Sequence, residues 1–442
     1  MIRPIRDRVV KPLFGAVISP IRAFFALEAA SGLLLLFCAA GALAWVNLGG
    51  AASYRALFDV PVALSLGGAS ARFTLHEAIN DGLMTVFFAL VGMEIKRELV
   101  LGELRTVARA ALPAFAALGG MLVPAAIYFA FNGTGAGRAG WGIPMATDIA
   151  FCIGVLTLLR SRVAHGLVVF VTALAIFDDI GGILVIAFFY GGGLHVAWLL
   201  AAAGVVVALA LAGRAHVGNG LVYVALGGLL WLALHHGGVH STIAGVVIGL
   251  AVPARTRRPP REAIEELAAH AQSLARGPRD EDLDSAAILG IEERLEELES
   301  PLGRFVHMLH PWVAFLIMPA FAIANSGVDL TALEPSQLTG AVTIGTAAAL
   351  VGGKLVGIFS FTAAAVRSGL SPMPGDATYA KLLGVSAVAG IGFTVALFIA
   401  SLAFPDSPGL LDEAKVGILA GSLVAGVLGA SILSLTRRLE SA

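Results

Sequence analysis

Charge is what this sequence has least of. Only 13% of its 442 residues are Asp, Glu, Lys or Arg, against 58% hydrophobic. Soluble domains carry about 25% charged and about 45–50% apolar residues. A chain this poor in charge cannot hide its apolar side chains in one core, which excludes an ordinary soluble enzyme. Cysteine is nearly absent as well: Cys38 and Cys152 each sit in an apolar run, so neither a disulfide framework nor a cysteine-based metal site is expected. There is no excess of positive charge; the net charge of −1 leaves no electrostatic footprint for nucleic acid. Tyr and Trp number 5 each beside 24 Phe, a balance suited to lipid-facing and packed helices.

What is present is a series of long apolar runs, and the mean hydropathy is +0.88. At about 20 residues per crossing, they predict an all-α polytopic membrane protein with twelve spans. The spans lie near 28–47, 76–98, 107–131, 143–159, 164–190, 194–213, 219–236, 239–253, 305–326, 340–367, 378–404 and 412–436. Residues 1–27 carry Arg3, Arg6, Arg8, Lys11 and Arg22 without a compact apolar core and cleavage site. They are expected to form a cytoplasmic segment, with the first apolar run kept as a helix. Residues 28–254 then hold eight spans, 255–304 a charged cytoplasmic loop, 305–436 four spans and 437–442 a cytoplasmic tail. The basic residues support this path, because cytoplasmic loops collect Lys and Arg. With both termini inside, only Arg55, Arg72, Arg138 and Lys415 fall outside, and Lys354 alone falls in mid-span.

Two extramembrane pieces stand out. The 255–304 loop has amphipathic stretches (REAIEELAAHAQSLA and IEERLEELES) around a charged break, and reads as a solvated connector. On the outside, VPVALSLGGASARFTL alternates around Gly67-Gly68 and predicts a β-hairpin over 60–75. A lone hairpin is marginal in water. Pairing with the same hairpin of a second copy would relieve its edges, so a homodimer contact is expected there.

Ionisable groups at bilayer depth are costly, by about 3 kcal/mol on insertion scales and more by simulation. They therefore mark function. Asp148, Asp178, Asp179 and Lys354 are such residues, in GIPMATDIAF, LAIFDDIGGIL and LVGGKLVG. Adjacent Asp178 and Asp179 point about 100° apart on a helix, so both can line one cavity. A purely structural pairing of one Asp with Lys354 leaves two carboxylates unexplained. Pro144 disfavours helix at Ile143, and Gly390 and Gly392 weaken it in AGIGF. Interrupted segments in corresponding halves point to a transporter site at the midplane. Spans 3–5 and 10–12 run in opposite directions, so they form candidate inverted repeats, each with a broken middle helix. Broken helices expose positive N-termini and negative C-termini; Asp148 is placed to offset the former and Lys354 the latter.

At these residues the sequence resembles the NhaA family of Na+/H+ antiporters. The resemblance is carried by INDGLMTVFFALVGMEIKREL (79–99), PMATDIAF (144–151), ALAIFDDIGG (173–182), GVHSTIAGVVIG (238–249), HPWVAFLIMPAFAIANSGV (310–328), GGKLVGI (352–358) and GIGFTVALFIASLAF (390–404). They run in family order over nearly the whole chain. The resemblance implies twelve helices, inverted repeats, crossed broken helices four and eleven, and electrogenic, pH-regulated exchange of Na+ or Li+ for H+ in a bacterial cytoplasmic membrane. It implies Asp179 as the main ion carboxylate, with Asp178 exchanging protons and pairing with Lys354. Thr147 and Asp148 would sit at the crossing beside the site. Asp81 would lie in or near an extracellular funnel. Glu94, Arg97 and Glu98 would belong to a pH-responsive cluster, and His240, His307 and His310 fall in stretches linked to pH response. For Glu94, Arg97 and Glu98 an ordinary helix-end ion-pair set is the plain alternative. No enzyme activity, cofactor or organic substrate is expected; the transported Na+, Li+ and H+ are cargo, and the only surroundings expected are membrane lipid and a second copy.

Rival readings are weaker. An intramembrane aspartyl protease needs GxGD, and the nearest string, MPGD at 373–376, falls in a loop. A sodium-coupled symporter of an organic anion shares the broken-helix design and needs an added substrate pocket.

Overall fold

The fold was taken from a computed structural model that describes residues 30–66, 69–256, 264–269, 272, 299–375 and 377–436. The N-terminal segment, most of the 255–304 loop, the Gly67-Gly68 turn and the tail lie outside the described residues. Among those described, nine helices are long and apolar enough to cross a membrane, or up to eleven if each of two bent pairs counts as one span. The chain divides into two compact units.

The first unit holds Met1–Asn80, Thr106–Ile186 and Ala314–Ala442. Its first segment, α1 (Ala30–Phe58), is two helices joined at a kink: the backbone leaves helical conformation at Leu48 and Gly49, where the run 28–47 has just ended, and a short helix, Ala51–Phe58, follows. The apolar reading stops where the helix kinks at Gly49, whose φ of 93° is open to glycine but strained for other residues. Beyond the kink, the Tyr54 hydroxyl donates to Ile323 O at 2.6 Å. Strands β1 (Pro61–Leu66) and β2 (Ala69–Thr74) pair antiparallel, with Pro61 opposite Thr74 and Leu66 opposite Ala69. Thr74 also opens the next helix, α2 (Leu75–Val100), through a reciprocal capping box with Glu77.

Helices α3 (Val107–Asn132) and α10 (Pro335–Arg367) touch backbone to backbone. A Cβ at Gly119 would lie 2.3 Å from Gly357 O, and one at Gly357 would lie 2.2 Å from Gly119 O. Only glycine at both positions permits this approach, and it brings Lys354, one turn earlier on α10, against α3. The same unit contains α5 (His165–Phe189) and α13 (Pro408–Leu435).

Two segments are broken. A tight 3-10 helix (Ala136–Met145) is followed by extended residues and then α4 (Ile149–Leu158), with a bend of 44°. Helices α11 (Tyr379–Val388) and α12 (Phe393–Ala403) bend by 46° about their gap. The first break falls at Ala146–Asp148, past Pro144, which is itself helical. The fourth segment therefore starts near Ala136 rather than at 143. Its first half is the glycine-rich stretch AGRAGWGIPM, which has no apolar run to announce it. Arg138, read as a loop residue, lies on that half-helix. The second break falls at the Gly390–Gly392 stretch, where the sequence places it.

The second unit holds Asp81–Arg105 and Ala187–Val313. It contains α6 (Val196–Arg214), α7 (Gly220–Gly237) and α8 (Ile243–Ala251). Gly245 lets α8 lie on α2, since a Cβ there would meet Thr85 O at 2.0 Å. The Lys96 ammonium donates to Leu250 O at 2.8 Å and to Val252 O, satisfying the last carbonyls of α8. With 9 residues, α8 is too short to pass as a span by length, although 239–253 reads as one. The remaining helix, α9 (Pro301–Ser326), belongs in part to each unit.

Candidate functional site

The two breaks expose backbone ends, and the sequence supplies side chains to meet them. Asp148 is the N-cap of α4, and its carboxylate accepts from Phe151 N at 3.1 Å. The same carboxylate accepts from Thr394 N at 3.2 Å and from the Thr394 hydroxyl, at the start of α12. Its own N–H donates to Ile391 O at 2.7 Å. One acidic side chain thus meets two helix N-termini, where a negative charge is favoured. Asp148 is 1% exposed, so these backbone and hydroxyl donors are the groups its carboxyl oxygens meet.

The C-terminal end of α11 is met by neutral donors. The Cys152 thiol donates to Val388 O at 3.1 Å. The Thr147 hydroxyl lies 2.9 Å from Ala389 O and 2.7 Å from Asp178 Oδ2. Asp178 comes from the middle of α5, and Lys354 Nζ meets its Oδ2 at 2.6 Å, with both side chains fully buried. The structure therefore brings Thr147, Asp178 and Lys354 together at the break and sets Asp148 beside them through the adjacent backbone. Among the described residues, Asp178 Oδ1 is buried with no hydrogen-bond partner, which leaves one carboxylate oxygen with acceptor capacity. Asp179 is also buried, one residue further round α5.

Thr394 is a member of this group that the sequence reading did not single out. Its signal in the sequence is weak, because Thr394 is the second residue of α12 and does not cap it. Replacing Thr394 by Val is expected to remove one bond to a buried carboxylate at nearly constant volume. The loss should be about 1.5–3 kcal/mol, seen as a lower unfolding temperature in detergent, and Thr394→Ser should restore most of it.

Other predicted residues fall elsewhere. Within the second unit, His240 Nε2 is 3.7 Å from Asp81 Oδ1. The Trp231 indole donates to Asp81 O at 3.4 Å, and His240 Nδ1 is 2.8 Å from the Thr242 hydroxyl. Glu94, Arg97 and Glu98 occupy the last turns of α2, at its far end from Asp81. Glu94 and Glu98 are half-buried and Arg97 exposed, and Glu98 Oε2 accepts from Glu103 N at 3.0 Å. His307 is exposed, 3.8 Å from Glu299, and His310 is half-buried on the same helix. Lys381 and Lys415, counted among loop and span-end charges, are buried on α11 and α13. A buried pair was also missed. Asn80 and Asn325 each donate to the other's side-chain carbonyl, at 3.3 and 2.8 Å.

A multi-pass helical protein with two broken segments and a fully buried carboxylate–ammonium pair between them has the form of a membrane ion transporter. A family model described as Na+/H+ antiporter 1 matches residues 22–433. A protein named Na(+)/H(+) antiporter NhaA from Anaeromyxobacter sp. (strain Fw109-5) is 64% identical over 430 residues, covering 97% of this chain and 94% of that one. Na(+)/H(+) antiporter NhaA 1 from Myxococcus xanthus (strain DK1622) is 56% identical, covering 96% and 94%. Among solved structures, the sodium proton antiporter MjNhaP1 from Methanocaldococcus jannaschii at pH 8 is similar in fold. Its TM-score is 0.51 at 14% identity, over 95% of this chain and 99% of that one. The chain belongs to the Na+/H+ antiporter 1 family.

Proposed function

We propose that the chain exchanges Na+ or Li+ for H+ across a bacterial cytoplasmic membrane, with both termini in the cytoplasm. The observation that carries this reading is the buried Asp178–Lys354 contact, 2.6 Å long and set at the broken helices. Twelve spans are reached if α8 with its leading turn forms a short one, and spans 3–5 and 10–12 then run as inverted repeats. The 60–75 hairpin pairs with that of a second copy.

The chemistry needs few parts. Na+ is a hard cation that prefers oxygen ligands, here carboxylates with help from hydroxyls, carbonyls or water. A dry cavity disfavours a bare carboxylate, so Na+ and H+ compete to neutralise the same oxygens. Asp179 is the main Na+ ligand. Asp178, held by Lys354 when ionised, takes up a proton as the contact opens, and the two titrate as a coupled pair. If only the loaded site changes its access, exchange is obligatory. Two carboxylates allow more than one proton per Na+, which makes the cycle electrogenic and lets the proton gradient drive Na+ out. Asp81 and His240 lie on the extracellular path, while Glu94, Arg97, Glu98, His307 and His310 tune the response to pH.

The test uses inverted membrane vesicles with an imposed proton gradient. Addition of Na+ or Li+ should collapse the gradient at alkaline pH, with no organic anion present. Activity should fall as the pH is lowered, because protonated carboxylates cannot hold Na+. Collapse that requires an added organic anion would instead indicate a symporter.

A further inference from the structure

The first unit contains a cavity of about 540 Å³ that the exchange site does not use. Its walls are α1, α4 and α13, with Ile391 and Phe393 at the inner end. The lining is apolar except for Ser422, and that hydroxyl already accepts from Phe393 N at 3.2 Å. With one hydroxyl in an otherwise apolar lining, the cavity suits a hydrocarbon occupant. Leu36, Leu158, Leu423 and Val427 line it and are themselves exposed on the outer faces of their helices. In a membrane-spanning chain those faces meet lipid, so the groove is continuous with the bilayer.

Its length and its outer rim narrow the occupant further. The lining on α13 runs from Leu419 to Ala430, which at 1.5 Å per residue is about 16 Å. Half the hydrocarbon thickness of a bilayer is about 15 Å. At the end marked by Leu158 and Leu159 the chain turns, and that turn carries Arg160, which is exposed, and Arg162. Arg162 Nη1 donates to Thr436 O at 3.1 Å, just past the end of α13. Two guanidiniums at the mouth of a hydrocarbon slot match a phosphate with an acyl chain attached.

We propose that this groove binds a single anionic phospholipid, its phosphate beside Arg160 and Arg162 and one acyl chain running inward to Ile391 and Phe393. The inner end has a mechanical consequence. Phe151 and Phe393 line the groove and meet edge to face, with ring centroids 5.0 Å apart. Each lies just after one of the two breaks, so the chain end buttresses the crossing from the lipid side. The binding claim rests on the membrane-spanning fold and stands apart from the exchange reading.

The experiment uses the purified full-length protein in vesicles of phosphatidylcholine doped with phosphatidylglycerol carrying a photoreactive diazirine near the chain end. After illumination, label should concentrate on peptides holding Phe151–Leu159 and Leu419–Ala430, at several times the level on the exposed residue Leu221 of α7. Ala40→Phe fills the groove from its exposed rim. It should lower that label at least about fivefold and leave the α7 label unchanged, with an unaltered size-exclusion profile showing that the variant is folded. Arg160→Gln should reduce the preference for the phosphatidylglycerol probe over the matching phosphatidylcholine probe. Three results would overturn the proposal: even labelling of all exposed helices, Ala40→Phe labelled like the parent protein, or Leu423→Cys giving a disulfide-linked dimer while the groove takes no label.

Discussion

Asp179→Asn is expected to abolish the collapse of a proton gradient by Na+ in inverted vesicles, while the protein still inserts and folds. The two side chains have nearly the same shape, so packing in the middle of α5 is kept. In the proposed site, what is lost is the negative charge that Na+ needs once it has shed water. A hydrogen bond to a charged group is worth about 1.5–3 kcal/mol, and a dehydrated cation asks for at least as much. At 1.4 kcal/mol per tenfold, the apparent Na+ affinity should fall by roughly 100-fold. Li+ should fare no better, because the same oxygens serve both. An Asp179→Asn protein that exchanges at the parent rate would remove Asp179 from the site. The measurement is the dequenching of a pH-sensitive dye at several Na+ concentrations, with the amount of protein in the membrane fixed.

The second large effect concerns stability. Lys354→Ala removes the ammonium that meets Asp178 Oδ2 at 2.6 Å, where both side chains are 0% exposed. Removing one partner of a buried pair costs about 3–5 kcal/mol, mostly because the other charge is stranded. The unfolding temperature in detergent should fall by roughly 5–10 °C. The deficit should be greatest at alkaline pH and shrink as the pH falls, since a protonated Asp178 carries no charge to strand. Lys354→Met, which keeps most of the volume, separates the lost charge from the cavity. If Lys354→Ala melts like the parent protein at alkaline pH, the contact contributes nothing to the fold.

The two halves of the broken-helix arrangement were legible to different degrees. Gly390 and Gly392 mark the second break because two glycines inside an apolar run weaken helix where nothing else does. The first break was placed at Ile143 by Pro144, which the structure instead holds inside the 3-10 helix, one residue before its end at Met145. The chain departs from helix only at Ala146–Asp148. Asp148, Asp178, Asp179 and Lys354 were visible because charge is so scarce in these runs that each residue needs a reason. Thr394 and the Asn80–Asn325 pair were not, because hydroxyls and amides are ordinary in such helices and their partners lie 246 and 245 residues away. Periodicity cannot announce a contact at that separation. The end of the first apolar run was legible: it stops at 47, and the backbone leaves helical conformation at Leu48 and Gly49 before the short helix Ala51–Phe58.

The reciprocal amides of Asn80 and Asn325 have a bearing on what can stay still while protons come and go. Neither side chain gains or loses charge anywhere in the physiological range, and each supplies the donor that the other's carbonyl requires. Asn325 also donates to Phe321 O at 3.0 Å, which ties the clasp into the helix behind it. His76 Nε2 lies 3.4 Å from Asn80 Nδ2, so the clasp is itself uncharged but touches an ionisable imidazole. The clasp joins the start of α2 to the end of α9 through bonds whose own donors and acceptors do not titrate.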